Sequence, residues 1–297
     1  MTKEGWVSWR GGRTWYSVRG EGEGSGKLPL VCLHGGPGVP HDYLEPLGDL
    51  VATGRRVAFY DQVGCGLSDH LEDPSPLGVA LFVEELAEVR RALGLSRCHL
   101  LGQSWGGMLA IEAALSGAPG IASLVLADAL ASMPLWAEET GRLRAALPAE
   151  VRETLDLHEA AGTTDDPAYG EAAMVFTRRH VCRLDPFPEC LNRSFGALSR
   201  DPLVYRAMVG PSEFFVTGTL RDWDVTARLG EIQVPTLVLS GRYDEATPAI
   251  AGALHRGIRG SERVLFEESS HMPHLEEPER FCAFVTSFLD RVESAGR

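Results

Sequence analysis

Short runs of apolar residues, each bounded by glycine, aspartate or serine, recur along the chain. Continuous apolar runs are typical of strands that are buried on both faces, as in a parallel sheet. Between the runs lie segments with helical spacing of apolar residues, such as 79–94, which stops at a glycine. The predicted buried strands are 28–33, 56–60, 98–101, 121–127, 235–239 and 263–266.

The two ends of the chain have other patterns. Bulky and small residues alternate over 6–18 around Gly11 and Gly12, which predicts a β-hairpin with a glycine turn. A polar glycine-rich loop is expected at 21–27, and an amphipathic helix at 278–292. An antiparallel hairpin followed by alternating strands and helices predicts an α/β fold with an open, mostly parallel sheet.

One region, 132–223, has no buried-strand run. It contains helical stretches at 139–147 and 171–182, and a proline-rich irregular joint at 184–190. We interpret 132–223 as a helical cap inserted into one catalytic domain that is formed by 1–131 and 224–297.

Composition narrows the class of protein. Of the 297 residues, 44% are hydrophobic and 23% are charged, which favours a folded chain with a large core over global disorder. The formal net charge is −13, so the surface repels phosphate backbones and anionic lipids. Nucleic acid and membrane surfaces are therefore not expected as partners, and the oligomeric state stays open.

Cysteine usage and the first residues indicate the compartment. The start, MTKEGWVSWRGG, lacks the apolar core of a secretory signal. The six cysteines form no CxxC pair and show no metal-ligand spacing, so we expect free thiols in a cytoplasmic protein, although a bridge between Cys182 and Cys190 stays open. No ligand cluster or phosphate-binding loop indicates a metal or organic cofactor.

The segment 102–106, Gly-Gln-Ser-Trp-Gly, fits the pattern G-x-S-x-G between a predicted strand and a predicted helix. Small residues on either side of the serine permit a sharp turn that exposes its hydroxyl at the carboxyl end of the sheet. Ser104 is therefore the candidate nucleophile.

A serine hydroxyl needs a base, and in folds of this kind the acid and the histidine follow it in chain order. Asp244 comes just after the apolar run 235–239, and His271 follows the next strand. Asp128, one strand earlier, is the alternative acid, and His274 is the alternative base.

The oxyanion of an acyl-transfer intermediate needs backbone N–H donors. His34-Gly35-Gly36-Pro37-Gly38 follows the predicted strand 28–33, and its glycines let the backbone approach a substrate. The amides of Gly36 and Trp105 are the candidate donors, and His34 is expected to hold the loop. The glycine-rich segment 61–68 is expected to support the same sheet edge.

Taken together, HGGPG, DQVGCGLSD, GQSWGG, GRYDEATP and SSHMPHLEEPE resemble the proline iminopeptidase family of α/β-hydrolases, which includes tricorn-interacting aminopeptidases and amino-acid amidases. The resemblance spans nearly the whole chain and is weakest at 133–209. It implies Ser104, Asp244 and His271 as a catalytic triad. It also implies that Glu213 and Glu245 hold the free α-amino group of the substrate.

These expectations describe a serine aminopeptidase that releases N-terminal residues, with proline one candidate, from short peptides or amino-acid amides. Its partners would be such substrates with a free N-terminus. Two alternatives stay open: an esterase, amidase or carbon–carbon bond hydrolase acting on uncharged acyl groups, and a non-catalytic ligand-binding protein of the same fold.

Overall fold

The computed structural model describes residues 1–21 and 26–295. Most of the glycine-rich loop predicted at 21–27 therefore lies outside the described residues. In the described ranges, no helix is long and apolar enough to cross a membrane. All six cysteines lie in these ranges and are free thiols.

Within the described residues, one sheet of eight strands organises the chain, and neighbouring strands follow the order β1-β2-β4-β3-β5-β6-β7-β8. The pairs β1–β2 and β2–β4 are antiparallel, and all the other pairs are parallel. The strands are β1 Thr2–Trp9, β2 Gly12–Arg19, β3 Leu30–Leu33, β4 Val57–Tyr60, β5 Cys98–Gln103, β6 Ile121–Ala127, β7 Thr236–Gly241 and β8 Glu262–Phe266.

The predicted fold class is confirmed by this topology. Each predicted apolar run contains a strand, and the predicted hairpin forms with its turn at Arg10 and Gly11. Every residue of β3, β4, β5 and β7 is buried, which is why these strands read as continuous apolar runs.

Helices cover both faces of the sheet, and their buried side chains pack with those of the strands in two apolar clusters. Two 3-10 helices, His41–Thr53 and Thr226–Glu231, add to the layers. The α-helices are α1 Val79–Ala92, α2 Trp105–Leu115, α3 Met133–Ala145, α4 Ala149–Ala161, α5 Pro167–His180, α6 Glu189–Arg200, α7 Leu203–Met208, α8 Pro248–Gly257, α9 Pro273–Glu276 and α10 Pro278–Ala295.

The segment between β6 and β7 is helical. Five helices, α3 to α7, lie within 132–223, and α4 and α5 pack around a small apolar cluster of their own that includes Leu155 and Phe176. Helix α6 begins at Glu189, inside the end of the joint that was predicted to be irregular and directly after Pro188.

Candidate active site

Ser104 lies at the turn from β5 into α2, with φ +55° and ψ −122°. Positive φ is uncommon for a residue with a side chain, and here the glycines around it provide the room. A Cβ on Gly102 would lie 2.1 Å from the carbonyl oxygen of Gly106, and one on Gly106 would lie 2.0 Å from that of Leu33. The close approach of β3, β5 and α2 thus requires both glycines and leaves the Ser104 side chain partly exposed.

A chain of hydrogen bonds joins the turn at Ser104 to the neighbouring loops. The Tyr43 hydroxyl accepts from the Gly35 N–H at 2.7 Å and donates to Oε1 of Gln103 at 2.6 Å. The Gln103 amide in turn donates to the carbonyl of His271 at 3.0 Å. The sequence did not predict these roles of Tyr43 and Gln103, because neither an interior tyrosine nor the variable position of a motif has a recognisable pattern.

His34 holds the loop after β3, as expected. Its Nδ1 lies 3.0 Å from the carbonyl of Gly35, and its Nε2 accepts from the Gln62 N–H at 2.9 Å. Burial lowers the pKa of His34 to about 4, so the ring is neutral at pH 7. Gln62 also accepts from Nε1 of Trp105 at 2.7 Å, which connects segment 61–68 to the residue after the nucleophile.

Asp244 and His271 meet at the carboxyl ends of β7 and β8. Nδ1 of His271 lies 2.6 Å from Oδ1 of Asp244, and that oxygen also accepts from the Ala246 N–H at 2.7 Å. Both residues are buried. A proton on Nδ1 leaves Nε2 as the basic nitrogen of the ring.

The alternative base, His274, and the alternative acid, Asp128, have different hydrogen-bond partners from His271 and Asp244. His274 is buried, with Nε2 3.2 Å from the carbonyl of Tyr43, and burial lowers its pKa to about 3. Asp128 accepts from the Gly241 N–H at 3.3 Å and lies behind Asp244. In the described residues, Asp128, Asp244 and His271 form the one group whose ligand atoms, all within 4.8 Å of one another, could hold a metal ion.

The two candidate oxyanion donors border the same cavity as Ser104. Gly36 has φ +105°, and Trp105 is the first residue of α2. In the described part of the chain, neither backbone N–H donates to a protein acceptor. Trp105 begins α2, where backbone amides are unpaired and carry partial positive charge, and the N–H of Gly36 borders the same cavity, so both groups can stabilise an anion here.

Glu213 and Glu245 come from different segments of the chain: Glu213 lies between β6 and β7, and Glu245 lies in the loop after β7. Glu213, in the insertion, borders the Ser104 cavity and accepts from the Tyr205 hydroxyl at 2.6 Å. Glu245 is buried, with Oε1 3.6 Å from Nε2 of His271, and its Oε2 has no partner in the described residues.

The electrostatics of this pair favour a cation. Burial raises the pKa of Glu213, against the effect of the Tyr205 hydrogen bond. Burial, then the charges of Glu213 and Asp244, raise the pKa of Glu245 well above its usual range. Two carboxyl groups that resist joint ionisation bind a positive group strongly, because the cation removes their repulsion.

Apolar side chains complete the cavity beside Ser104. Trp136 also donates from Nε1 to the carbonyl of Glu213 at 2.7 Å, and its ring lies 6.3 Å from that of His271. Tyr205 and Trp136 lie in the region of weakest sequence pattern and were not predicted. The apolar lining is formed by Met108, Leu130, Met133, Trp136, Val209 and Leu220.

Comparison with known proteins gives a consistent result. Residues 29–278 match the family described as alpha/beta hydrolase fold. A proline iminopeptidase of Saccharolobus solfataricus is 41% identical over 89% of this chain and 86% of its own. The solved structure of a Mycobacterium smegmatis proline iminopeptidase is 44% identical, with a TM-score of 0.91, and covers 99% of this chain and 100% of its own. The structure of VinJ is 46% identical, with a TM-score of 0.95, over 98% of this chain and 99% of its own.

Proposed function

The chain belongs to the α/β-hydrolase family and, within it, to the proline iminopeptidases, and from that membership we propose that it cleaves the bond after a free N-terminal residue with Ser104 as nucleophile. It is a serine aminopeptidase of the α/β-hydrolase fold. The observation that carries the proposed substrate class is the pairing of Glu213 and Glu245 beside Ser104 and His271.

Catalysis would begin with proton transfer from the Ser104 hydroxyl to Nε2 of His271. The oxygen forms a bond to the carbonyl carbon of the first residue, and the carbonyl electron pair moves onto its oxygen. The N–H groups of Gly36 and Trp105 stabilise that oxyanion. When the intermediate collapses, the carbon–nitrogen bond breaks and His271 gives its proton to the leaving amine.

Asp244 has an orienting role in this scheme. Its Oδ1 accepts a hydrogen bond from the Nδ1–H of His271 and stabilises the imidazolium that forms during attack. Water then attacks the acyl-enzyme with His271 as base, which releases the free amino acid and restores Ser104.

Glu213 and Glu245 would bind the α-ammonium group of the substrate. A cation between the half-buried Glu213 and the buried Glu245 gains charge-assisted hydrogen bonds, and it fixes the carbonyl carbon at a set distance from the amine. Because only the first residue can satisfy that distance, the enzyme acts as an exopeptidase. Proline is one candidate first residue, since the remaining lining is apolar.

The insertion would act as a cap. Residues 132–223 supply Glu213, Trp136 and Val209 to the cavity, whereas Ser104 belongs to the sheet portion, 1–131 and 224–297. A site closed by two parts of the chain admits short peptides and amino-acid amides more readily than folded proteins. Domain boundaries at 132 and 223 are part of this proposal.

The deciding experiment compares amino-acyl anilides with free and with N-acetylated amines. We expect acetylation to lower kcat/KM of the wild type by more than about 100-fold, since a charge-assisted contact contributes about 1.5–3 kcal/mol and two are lost. Glu213→Gln and Glu245→Gln should each lower kcat/KM for the free amine about 10- to 100-fold. Glu213→Gln should change kcat/KM for the acetylated substrate less than threefold.

Glu138→Gln is the matched control, because this glutamate of α3 is exposed and pairs with Arg142 on the surface. It should behave as wild type with both substrates. Equal turnover of free and acetylated amines would contradict the aminopeptidase and favour a general amidase or esterase. Loss of fluorophosphonate labelling in Ser104→Ala, with labelling of the wild type, tests the nucleophile and excludes a non-catalytic binding protein.

A further inference from the structure

Asp128 is a buried carboxyl group for which the proposed reaction has no use. It follows β6 directly, is fully buried, and has φ +53°. A left-handed conformation is costly for most side chains, and it persists here because the backbone is held on both sides. The Asp128 N–H donates to the carbonyl of Leu239 at 2.8 Å, and Oδ1 accepts from the Gly241 N–H.

The second oxygen of each of two neighbouring carboxyl groups lacks a donor. Oδ2 of Asp128 and Oδ2 of Asp244 are both buried, and neither has a hydrogen-bond partner among the described residues. One carboxyl oxygen of Asp128 and one of Asp244 lie within 4.8 Å of each other and of a ring nitrogen of His271. Buried polar atoms are almost always paired, and one proton between two such oxygens would satisfy both.

We propose that Asp128 is protonated in the resting enzyme and donates its hydroxyl hydrogen to Oδ2 of Asp244, which makes it a positioning residue for the carboxylate that orients His271. This inference rests on the proposed function insofar as Asp244 and His271 form the catalytic pair. It assigns no bond-making step to Asp128.

The charges around Asp128 agree with a neutral acid. Burial and then the charge of Asp244 raise its pKa well above the usual carboxyl range, Glu276 adds to the shift, and the Gly241 N–H opposes it. The ring of His271 also lies beside this pair, and its Nδ1 is already hydrogen-bonded to Oδ1 of Asp244. With Asp128 neutral, the pair carries one negative charge, which matches the one positive charge that His271 acquires during attack.

The first test is Asp128→Asn. The amide can donate to Asp244 and accept from Gly241, and asparagine tolerates positive φ. We expect the rate of Ser104 labelling by a fluorophosphonate to stay within threefold of wild type, with the acidic limb of its pH profile unmoved. If Asp128 were ionised, its replacement would remove a negative charge beside the catalytic pair and move that limb down by about one pH unit, which would overturn the proposal.

The second test is Asp128→Gly, which removes the donor without straining the backbone, because glycine adopts positive φ freely. Labelling should be at least about tenfold slower, and Asp128→Asn should restore what Asp128→Gly loses. Wild-type labelling of the glycine variant would overturn the positioning role. Labelling does not depend on the substrate's amine, so it separates this inference from a failure of the aminopeptidase proposal.

A third measurement stands even if the glycine variant does not fold. A carboxyl group protonated in the fold and ionised in the unfolded chain loses a proton on unfolding, so folding weakens as pH rises. In urea titrations from pH 5 to 7, the folding constant of wild type relative to Asp128→Asn should fall about tenfold per pH unit. A pH-independent ratio would show that Asp128 is ionised and would overturn the proposal.

Discussion

At the scale of single residues, Tyr205 contacts Glu213, one of the two carboxyl groups proposed to bind the amine of the substrate. The tyrosine hydroxyl donates to Oε1 of Glu213 at 2.6 Å, and this bond lowers the pKa of Glu213 against the effect of burial. Tyr205 is itself buried, so the contact is shielded from solvent. The hydroxyl thus orients the carboxylate and favours its ionised form, against the effect of burial.

We predict that Tyr205→Phe raises KM for a free-amine anilide about tenfold, because a hydrogen bond to a charged group contributes about 1.5 kcal/mol. Without the hydroxyl, the pKa of Glu213 rises. Since the ionised form binds the cation, tight binding should begin at higher pH than in the wild type. Inhibition by a simple amine measured from pH 5 to 8 checks this, with Tyr16→Phe in β2 as the control. An unchanged pH dependence would contradict it.

At the scale of elements, the junction of β3, β5 and α2 sets the position of the nucleophile. Helix α2 has buried residues on nearly every side, among them Trp105 and Met108. Its first turn lies so close to β3 that only hydrogen fits on Gly106. Glycine is usually a weak point in a helix, and here the packing requirement overrides propensity.

We therefore expect Gly106→Ala to destabilise the protein by about 3 kcal/mol or more, because the added methyl group would meet backbone rather than a movable side chain. Gly141→Ala, in α3, is the matched control: nothing lies within 4 Å of its new Cβ, and it should stabilise by about 0.5–1 kcal/mol. Urea unfolding of both variants measures the effect. A Gly106→Ala protein as stable as wild type would contradict the close packing.

At the scale of the whole molecule, the C-terminal helix is attached to the first half of the chain by a buried ion pair. Oε1 of Glu293 in α10 accepts from Arg55 at 2.8 Å and from the Leu28 N–H at 3.0 Å, and lies 3.2 Å from Nε2 of His99. The side chain of Arg55 is 0% exposed. Burial opposes the charge of Glu293, but Arg55 and the Leu28 N–H outweigh it and lower its pKa.

We predict that Glu293→Ala costs about 1.5–3 kcal/mol, since Arg55 loses its buried carboxylate partner and keeps only the half-exposed Asp290. Glu262→Ala removes the partner of Arg291 in a half-exposed pair and should cost less than about 1 kcal/mol. A depressed folded-state pKa contributes stability at neutral pH that is lost as pH falls below about 4.3. The difference between wild type and Glu293→Ala should therefore shrink in acid, as unfolding at pH 7 and pH 3.5 would reveal.

Much of the fold could be predicted because its determinants are local. Parallel strands that are buried on both faces are mostly apolar, so they can be recognised in the sequence without knowing which strands they pair with. The pattern G-x-S-x-G between a strand and a helix likewise indicates the sharp turn that exposes the serine. Helices α4, α6 and α7 escaped prediction because the segment between β6 and β7 carries amphipathic patterns interrupted by prolines rather than buried strands. The boundaries of 132–223 and the roles of the site residues stay predictions.

What the sequence determined by itself was the hairpin and the succession of buried strands, the turn at Ser104, and the short set of acids and histidines that could follow it. Only the tertiary structure decided which of them touch: Asp244 bonds to His271, while Asp128 lies behind it and His274 binds Tyr43. It also brought Tyr205 to Glu213 and Glu213 into the cavity of Ser104. The physical reason is that periodicity reports burial within one element, whereas hydrogen bonds and charge coupling depend on distances between residues far apart in the chain.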